Sequence, residues 1–108
     1  MENRQYERVK AKSVLVSLTN ETGEISGFLR DISEGGLKIQ KISAERRVEK
    51  GDYDCTFVLP NLGKMQTRVE VLGVGDSQEK LGETLVRMRF QNLDPLSKEK
   101  IKQFIANS

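Results

Sequence analysis

Six short segments in which apolar and polar residues alternate constrain the fold of this chain more than any other feature. They cover residues 13–19, 25–32, 36–40, 54–59, 65–74 and 84–90, and residues that favour turns separate them. Successive side chains of a β-strand point to opposite faces, so this alternation is typical of strands with one face buried and one in water. No segment repeats another. The pattern predicts an all-β domain of six antiparallel strands.

One set of alternating positions is apolar in every segment, and we predict that it faces the core. Its members are Val14, Val16, Leu18, Ile25, Gly27, Leu29, Leu37, Ile39, Cys55, Phe57, Leu59, Val69, Val71, Val86, Met88 and Phe90. The intervening Arg87 and Arg89 are predicted to face outward as strand surface residues rather than as ligand contacts. Closure of six short strands into a barrel would remove their exposed edges. A closed barrel is therefore the expected architecture.

Two stretches fall outside the alternating pattern. Residues 41–52 are polar and end near Gly51, which predicts a long loop with room for a helical turn. Asp94 followed by Pro95 predicts a helix start, because aspartate caps free N–H groups and proline fits the first helical position. We expect the helix to pack on the open side of the barrel through one apolar stripe, formed by Leu96, Ile101, Phe104 and Ile105.

The composition limits the classes of function. The 108 residues include 18 Lys and Arg against 16 Asp and Glu, and a net charge of +2 is too small for a general nucleic-acid or membrane binder. With no histidine and only Cys55 as a thiol, His-dependent triads, the usual zinc sites and an internal disulfide are excluded. We therefore predict no catalytic residue, no metal, no cofactor and no enzyme. Without an apolar stretch of membrane-spanning length, the chain is expected to be cytoplasmic and not inserted in a membrane.

Two short motifs carry the functional prediction. Arg4 and Arg8 lie four residues apart near the start, and residues 31–36 read Asp-Ile-Ser-Glu-Gly-Gly. An arginine fork matches two acceptors of guanine, stacks on a purine face and binds phosphate through charge-assisted bonds. The carboxylate of Asp31 complements the N–H donors of guanine and discriminates against adenine. Ser33 and the N–H groups of a glycine-rich turn can form a small anion-binding concavity. This combination suits a phosphorylated purine.

The order RxxxR followed by DxSxxG resembles the signature of PilZ domains, small β-barrels that bind cyclic di-GMP. The resemblance runs from Arg4 to about Ile105, and it includes the GGLKI strand start, Gly51 ahead of a strand, and the RMRF strand followed by a capped helix. It implies a six-stranded antiparallel β-barrel with a C-terminal α-helix. The implied single domain has a flexible N-terminal leader at 1–12, the barrel at 13–93 and the helix at 94–108.

Carried over residue by residue, the resemblance implies a cyclic di-GMP site shared by the leader and the barrel. Arg4 and Arg8 would bind guanine and phosphate, and Gln5 beside them would face the ligand. The implied barrel residues are Asp31, Ser33, Gly35 and Gly36, with Gly36 permitting the turn. We expect binding to order the leader, and the signal to pass to an unidentified motility, pilus or regulatory protein.

Two alternatives remain open. The first is a PilZ-like interaction module that does not bind the nucleotide, because Asn3 stands where many members carry another arginine and Glu7 adds negative charge to the arginine block. The second is a small barrel that binds single-stranded nucleic acid, which requires a basic groove lined with aromatic side chains. Most of the six aromatic residues here stand at core-like positions, so we expect no nucleic-acid partner.

Overall fold

The computed structural model describes residues 14–41, 48–76 and 84–107. Its strands are β1 (Leu15–Asn20), β2 (Gly23–Ile32), β3 (Gly36–Lys41), β4 (Gly51–Leu59), β5 (Gly63–Asp76) and β6 (Thr84–Gln91), and the helix α1 (Pro95–Ala106) follows them. All paired strands are antiparallel, and the sheet closes on itself in the order β1-β2-β3-β6-β5-β4. A six-stranded antiparallel barrel with a C-terminal helix confirms the predicted fold.

The barrel interior is filled by the alternating apolar residues, because closure turns one face of every strand inward. All of the predicted core residues are buried except Phe90, which is partly buried and packs against the core. Met65, a predicted core residue as well, is also buried, Tyr53 adds to the core without having been predicted, and Phe57 is the largest of the fully buried side chains. The Tyr53 hydroxyl donates a hydrogen bond to the Glu49 carbonyl oxygen at 2.8 Å, so its polar group is satisfied despite burial.

The fourth strand begins earlier than the sequence predicted. Gly51 is its first residue, whereas the alternating pattern placed the start at residue 54 and the predicted loop extended through residue 52. Tyr53 points into the core while Asp52 and Asp54 face water, so the polar stretch is the outer face of a strand. The helical turn allowed between residues 41 and 52 would fall mainly in 42–47, which lie outside the described residues.

Helix α1 begins as predicted and buries a narrower stripe than predicted. The Asp94 carboxylate accepts a hydrogen bond from the Ser97 N–H at 3.2 Å, and Pro95 occupies the first turn. Ile101 is fully buried, whereas Leu96 is 66% exposed and does not belong to the stripe. Five residues turn a helix through about 500°, so Leu96 lies about 140° around the axis from Ile101. Phe104 and Ile105 pack partly buried against the core.

Within the described ranges, α1 is the one helix, and its 12 residues are too few and too polar to cross a bilayer.

Candidate functional site

A β-bulge in β2 determines where the Asp31 side chain points. The residues before it alternate so that Leu29 faces the core, and unbroken alternation would turn Asp31 inward as well. The pairing of β2 with β3 shifts between Leu29 and Asp31, so Arg30 is an extra residue and Ile32 takes the next inward position. A bulge of this kind re-aims the side chains beside it. Asp31 therefore lies on the outer surface of the barrel.

The neighbour of Asp31 across the β2–β3 ladder is Lys38. Their side chains are 19% and 31% exposed, and Lys38 Nζ lies 3.9 Å from Asp31 Oδ2. At that separation, on a partly hydrated surface, the attraction is weak enough for a ligand to compete with it. The sequence places Lys38 on the outer face of β3 but does not reveal that it faces the aspartate.

The turn between β2 and β3 uses some of its own hydrogen-bonding groups. Ser33 N–H donates to the Gly36 carbonyl at 2.9 Å, and Gly35 N–H donates to Ser33 Oγ at 3.3 Å. These two N–H groups are engaged within the turn, so the predicted concavity cannot rest on them. Because Ser33 Oγ accepts from Gly35, its hydroxyl hydrogen can point outward and donate to an anion.

Gly36 is required in this turn for a different reason from the one predicted. Neither Gly35 nor Gly36 adopts a left-handed φ, so Gly36 does not permit the turn through its conformational freedom. A β-carbon at Gly36 would instead collide with the Met88 carbonyl oxygen and lie 2.9 Å from the Arg89 Cα. Gly36 is needed because β3 and β6 approach closely at this point. At Gly35 the space is open, with Ser33 Oγ 3.9 Å away.

The motif residues line one shallow depression over the β3–β6 ladder, with a volume of about 230 Å³. A second bulge borders it, because the β5–β6 register shifts between Val71 and Gly73 and leaves Leu72 41% exposed in the wall. Bulges on both sides thus shape the outer surface here. The residues that surround the depression are Asp31, Ser33, Gly35, Gly36, Leu37, Lys38, Leu72, Arg87, Met88 and Arg89.

Arg87 and Arg89 face outward as the alternation predicted, but no local pattern indicated that they border the motif. Pairing of β3 with β6 sets Arg87 opposite Lys38 and Arg89 opposite Gly36. Both residue pairs join positions about fifty apart in the sequence, and such distant pairing has no periodic signal. The structure therefore adds three cations to the surroundings of the DxSxxG motif.

Arg4, Gln5 and Arg8 lie outside the described residues, and their part in the site stays a prediction. The structure does define where the N-terminal segment joins the barrel. Leu29 N–H donates to the Val14 carbonyl at 2.8 Å, so the chain arrives beside β2 two residues before Asp31.

The single thiol of the chain is inside the barrel and away from this surface. Cys55 is fully buried, and burial raises its pKa from 9.0 to about 12. A thiol of this kind stays protonated at neutral pH and is a poor nucleophile. The prediction that Cys55 is a small core residue is confirmed.

The PilZ domain family model matches residues 2–107. The chain belongs to the PilZ domain family. No curated protein matches it significantly. Solved structures that share the fold of this PilZ domain include the PilZ domain with c-di-GMP of YcgR from Escherichia coli, at 15% identity and a TM-score of 0.81 over 98% of this chain and 91% of that one.

Two further solved structures extend beyond the region that this PilZ domain covers. The Bacillus subtilis inhibitor of motility MotI/DgrA is 18% identical with a TM-score of 0.77, and 99% of this chain aligns with 51% of it. The K. pneumonia MrkH-c-di-GMP complex is 12% identical with a TM-score of 0.76, over 99% of this chain and 52% of MrkH. The PilZ domain thus spans about half the length of these two proteins. These matches indicate no catalytic family.

Proposed function

We propose that this PilZ domain binds cyclic di-GMP in the depression over β3 and β6 and passes the signal on through protein contacts. One observation carries the proposal. The β2 bulge turns Asp31 onto the same outer surface as Ser33, next to the place where the N-terminal segment with its two arginines joins the barrel. The YcgR and MrkH structures, which share the fold, contain c-di-GMP and support the choice of ligand.

The length of the N-terminal segment is sufficient for its arginines to reach the depression. Arg8 precedes Val14 by six residues, and an extended segment of that length spans at most about 20 Å. Asp31 stands two strand residues beyond Leu29, the hydrogen-bond partner of Val14, or about 7 Å along β2. Both Arg8 and the more distant Arg4 can therefore approach a ligand held at Asp31 and Ser33.

The groups around the depression match different parts of a guanine nucleotide. The Asp31 carboxylate accepts hydrogen bonds and suits the N–H edge of guanine, while the Ser33 hydroxyl donates and suits a phosphate oxygen. An arginine fork from the N-terminal segment complements either the other guanine edge or a phosphate. Charge-assisted bonds contribute roughly 1.5–3 kcal/mol each, and micromolar affinity requires about 8 kcal/mol in all. Two arginines, an aspartate and a serine supply a sum of that size.

The size of the depression indicates that the barrel supplies only part of the site. Its volume of about 230 Å³ is below the roughly 300–1,000 Å³ of most small-molecule pockets. A further wall is needed, and Arg4, Gln5 and Arg8 are the predicted residues to provide it. Binding then holds the N-terminal segment against the barrel and creates a surface that a motility, pilus or regulatory protein recognises.

Titration calorimetry tests the ligand and its contacts. The native protein is expected to bind cyclic di-GMP, and to bind cyclic di-AMP and GTP far more weakly because Asp31 selects the guanine amino group. We expect Arg4→Ala, Arg8→Ala and Asp31→Ala each to weaken binding by about tenfold to more than a hundredfold.

Arg68→Ala is the matched control for these variants. Arg68 is an exposed arginine on β5 that pairs with Asp54 at 3.1 Å and does not border the depression. Arg68→Ala should therefore bind cyclic di-GMP with the affinity of the native protein. Unaltered affinity of Arg8→Ala for cyclic di-GMP would show that Arg8 does not belong to the site. If the native protein bound none of the three nucleotides, the result would favour an interaction module without a ligand.

Hydrogen exchange with and without cyclic di-GMP tests the transmission of the signal. The first ten residues should exchange more slowly in the complex if binding fixes the arginines against the barrel. Equal exchange in both states would refute this part of the proposal even if the ligand binds.

A further inference from the structure

Arg87 is the least compensated cation around the depression. Among the described residues it forms no ion pair or hydrogen bond with an acidic side chain, although it stands in the middle of the β3–β6 ladder. Its guanidinium extends across the strand to Gly73 of β5, where an added β-carbon would lie 3.1 Å from Nη2. The glycine leaves this path open for the arginine.

Arg89, two residues along the same strand, is held differently. Its Nε donates to Glu70 Oε1 at 2.7 Å, and its Nη2 lies 2.6 Å from the same oxygen. Glu70 is the directly opposed residue of β5, so the pair is fixed by strand register. Arg89 therefore has an acidic partner that offsets its charge, whereas Arg87 has none within the described parts of the chain.

The residue opposite Arg87 on β3 is also a cation. Lys38 and Arg87 form a directly opposed cross-strand pair, and like charges in that position destabilise a sheet. Asp31, 3.9 Å from Lys38, partly offsets the charge of the lysine, whereas no acidic side chain among the described residues pairs with Arg87. An anion bound between the two side chains would convert this repulsion into two favourable interactions.

Lys38 and Arg87 also separate two neighbouring depressions. The first contains the motif residues, and the second, of about 220 Å³, is lined on its other side by Gly73, Gly75 and Leu85. Both cations contribute to both depressions. A cyclic dinucleotide has two nucleosides whose riboses are joined by two phosphodiesters, so its phosphates lie between the two sugars that carry its bases. Two cations between two depressions match a ligand whose negative charge lies between its two bases.

We propose that Arg87 is a phosphate-binding residue supplied by the barrel itself, which acts with Lys38 on a phosphodiester of the bound cyclic dinucleotide. This inference rests on the proposed function and adds a contact outside the two sequence motifs. Two adjacent cations suit a phosphate rather than a guanine edge, because one arginine fork already satisfies the guanine acceptors.

Calorimetric titration of Arg87→Ala and Arg87→Lys with cyclic di-GMP tests the assignment. We expect Arg87→Ala to bind about ten- to a hundredfold more weakly than the native protein. The affinity of Arg87→Lys should lie between those of the native protein and Arg87→Ala, because the lysine ammonium still attracts phosphate but lacks the planar fork of arginine. Arg68→Ala, which removes the same charge from a paired position on β5, should bind like the native protein.

Unfolding of the ligand-free variants separates a binding role from a structural one. Arg87→Ala relieves the repulsion from Lys38, so it should unfold at a urea concentration no lower than the native protein does. A clear loss of stability would show that Arg87 supports the barrel instead, and would overturn the inference.

The binding results distinguish this inference from the proposed function. Native affinity in Arg87→Ala, together with lost affinity in Arg8→Ala, would overturn the role of Arg87 and leave the cyclic di-GMP site intact. Equal loss in Arg87→Lys and Arg87→Ala would overturn the assignment to phosphate, since a base-reading fork would then be required. No binding by the native protein would overturn both proposals.

Discussion

Gly36 at the start of β3 lies against the backbone of Met88 on β6 with no space for a side chain between them. The atoms that a β-carbon would meet are the Met88 carbonyl oxygen and the Arg89 Cα, and neither can rotate away as a side chain would. This contact fixes the distance between the strand that begins at the DxSxxG turn and the strand that carries Arg87. The last glycine of the motif is therefore a packing requirement of the barrel wall.

Gly36→Ala should destabilise the barrel by roughly 1–3 kcal/mol, the range of an overpacked interior contact. Urea unfolding of the ligand-free protein measures the effect. Gly35→Ala is the matched control, because its nearest neighbour is 3.9 Å away and its φ is outside the left-handed region. Its unfolding free energy should lie within about 0.5 kcal/mol of the native value. Equal losses in the two variants would contradict the steric explanation.

Ile101 should account for most of the docking energy of α1. It is fully buried, so Ile101→Ala is expected to lower the free energy of unfolding by roughly 2–5 kcal/mol. Leu96→Ala removes a side chain that is 66% exposed and should change it by less than about 0.5 kcal/mol. Chemical denaturation of Ile101→Ala and Leu96→Ala measures both changes in the free energy of unfolding. A larger loss from Leu96→Ala would mean that α1 packs on the barrel through another face.

Cys55 should resist thiol-specific reagents as long as the barrel is folded. Burial holds the pKa of the thiol near 12 and also excludes the reagent, so the reactive thiolate is scarce and inaccessible at neutral pH. When thiol labelling is monitored by absorbance, Cys55 should react negligibly in buffer and completely in denaturant. Rapid labelling of the native protein would show that the interior opens frequently.

Asp94 should make α1 sensitive to acid. Hydrogen bonds from the Ser97 side chain and backbone lower the pKa of the Asp94 carboxyl below its usual 3.8. A folded-state pKa below the unfolded one means that the stabilisation is present above pH 3.8 and is lost as the pH falls through the folded value. Urea unfolding at neutral and acidic pH should show a smaller pH dependence for Asp94→Asn than for the native protein.

Glu99→Gln provides the control for that measurement, because it removes the same charge from an exposed position of the same helix. If Asp94→Asn and Glu99→Gln change the pH dependence equally, the cap is not responsible for it.

Local alternation was sufficient to predict the barrel because it records which side of each strand is buried. Val16, Phe57 and Val86 each sit in a strict period of two, and all three are fully buried. The start of β4 was misplaced because Gly51 and Asp52 continue the polar stretch from residue 41 and so resembled the end of a loop. Leu96 was assigned to the helix stripe although its angular position on the helix excludes it.

The site was predicted less completely than the fold because it depends on pairing between distant strands. The motif drew attention to Asp31 and Ser33, which do lie on one surface. Nothing in the local pattern indicated that Arg30 would form a bulge, that β3 would pair with β6, or that Arg87 would consequently face Lys38. These relationships follow from closure of the sheet, which no short segment encodes.

Closure of the sheet also limits how another protein can recognise this one. Each strand in the described part of the chain pairs with two neighbours, so none of these strands is an edge strand along its whole length. A partner that added a strand of its own, as happens at the open edges of other β proteins, would find only short unpaired stretches here. Recognition is therefore expected to depend mainly on side chains of the curved outer wall, where single substitutions can separate partner recognition from folding.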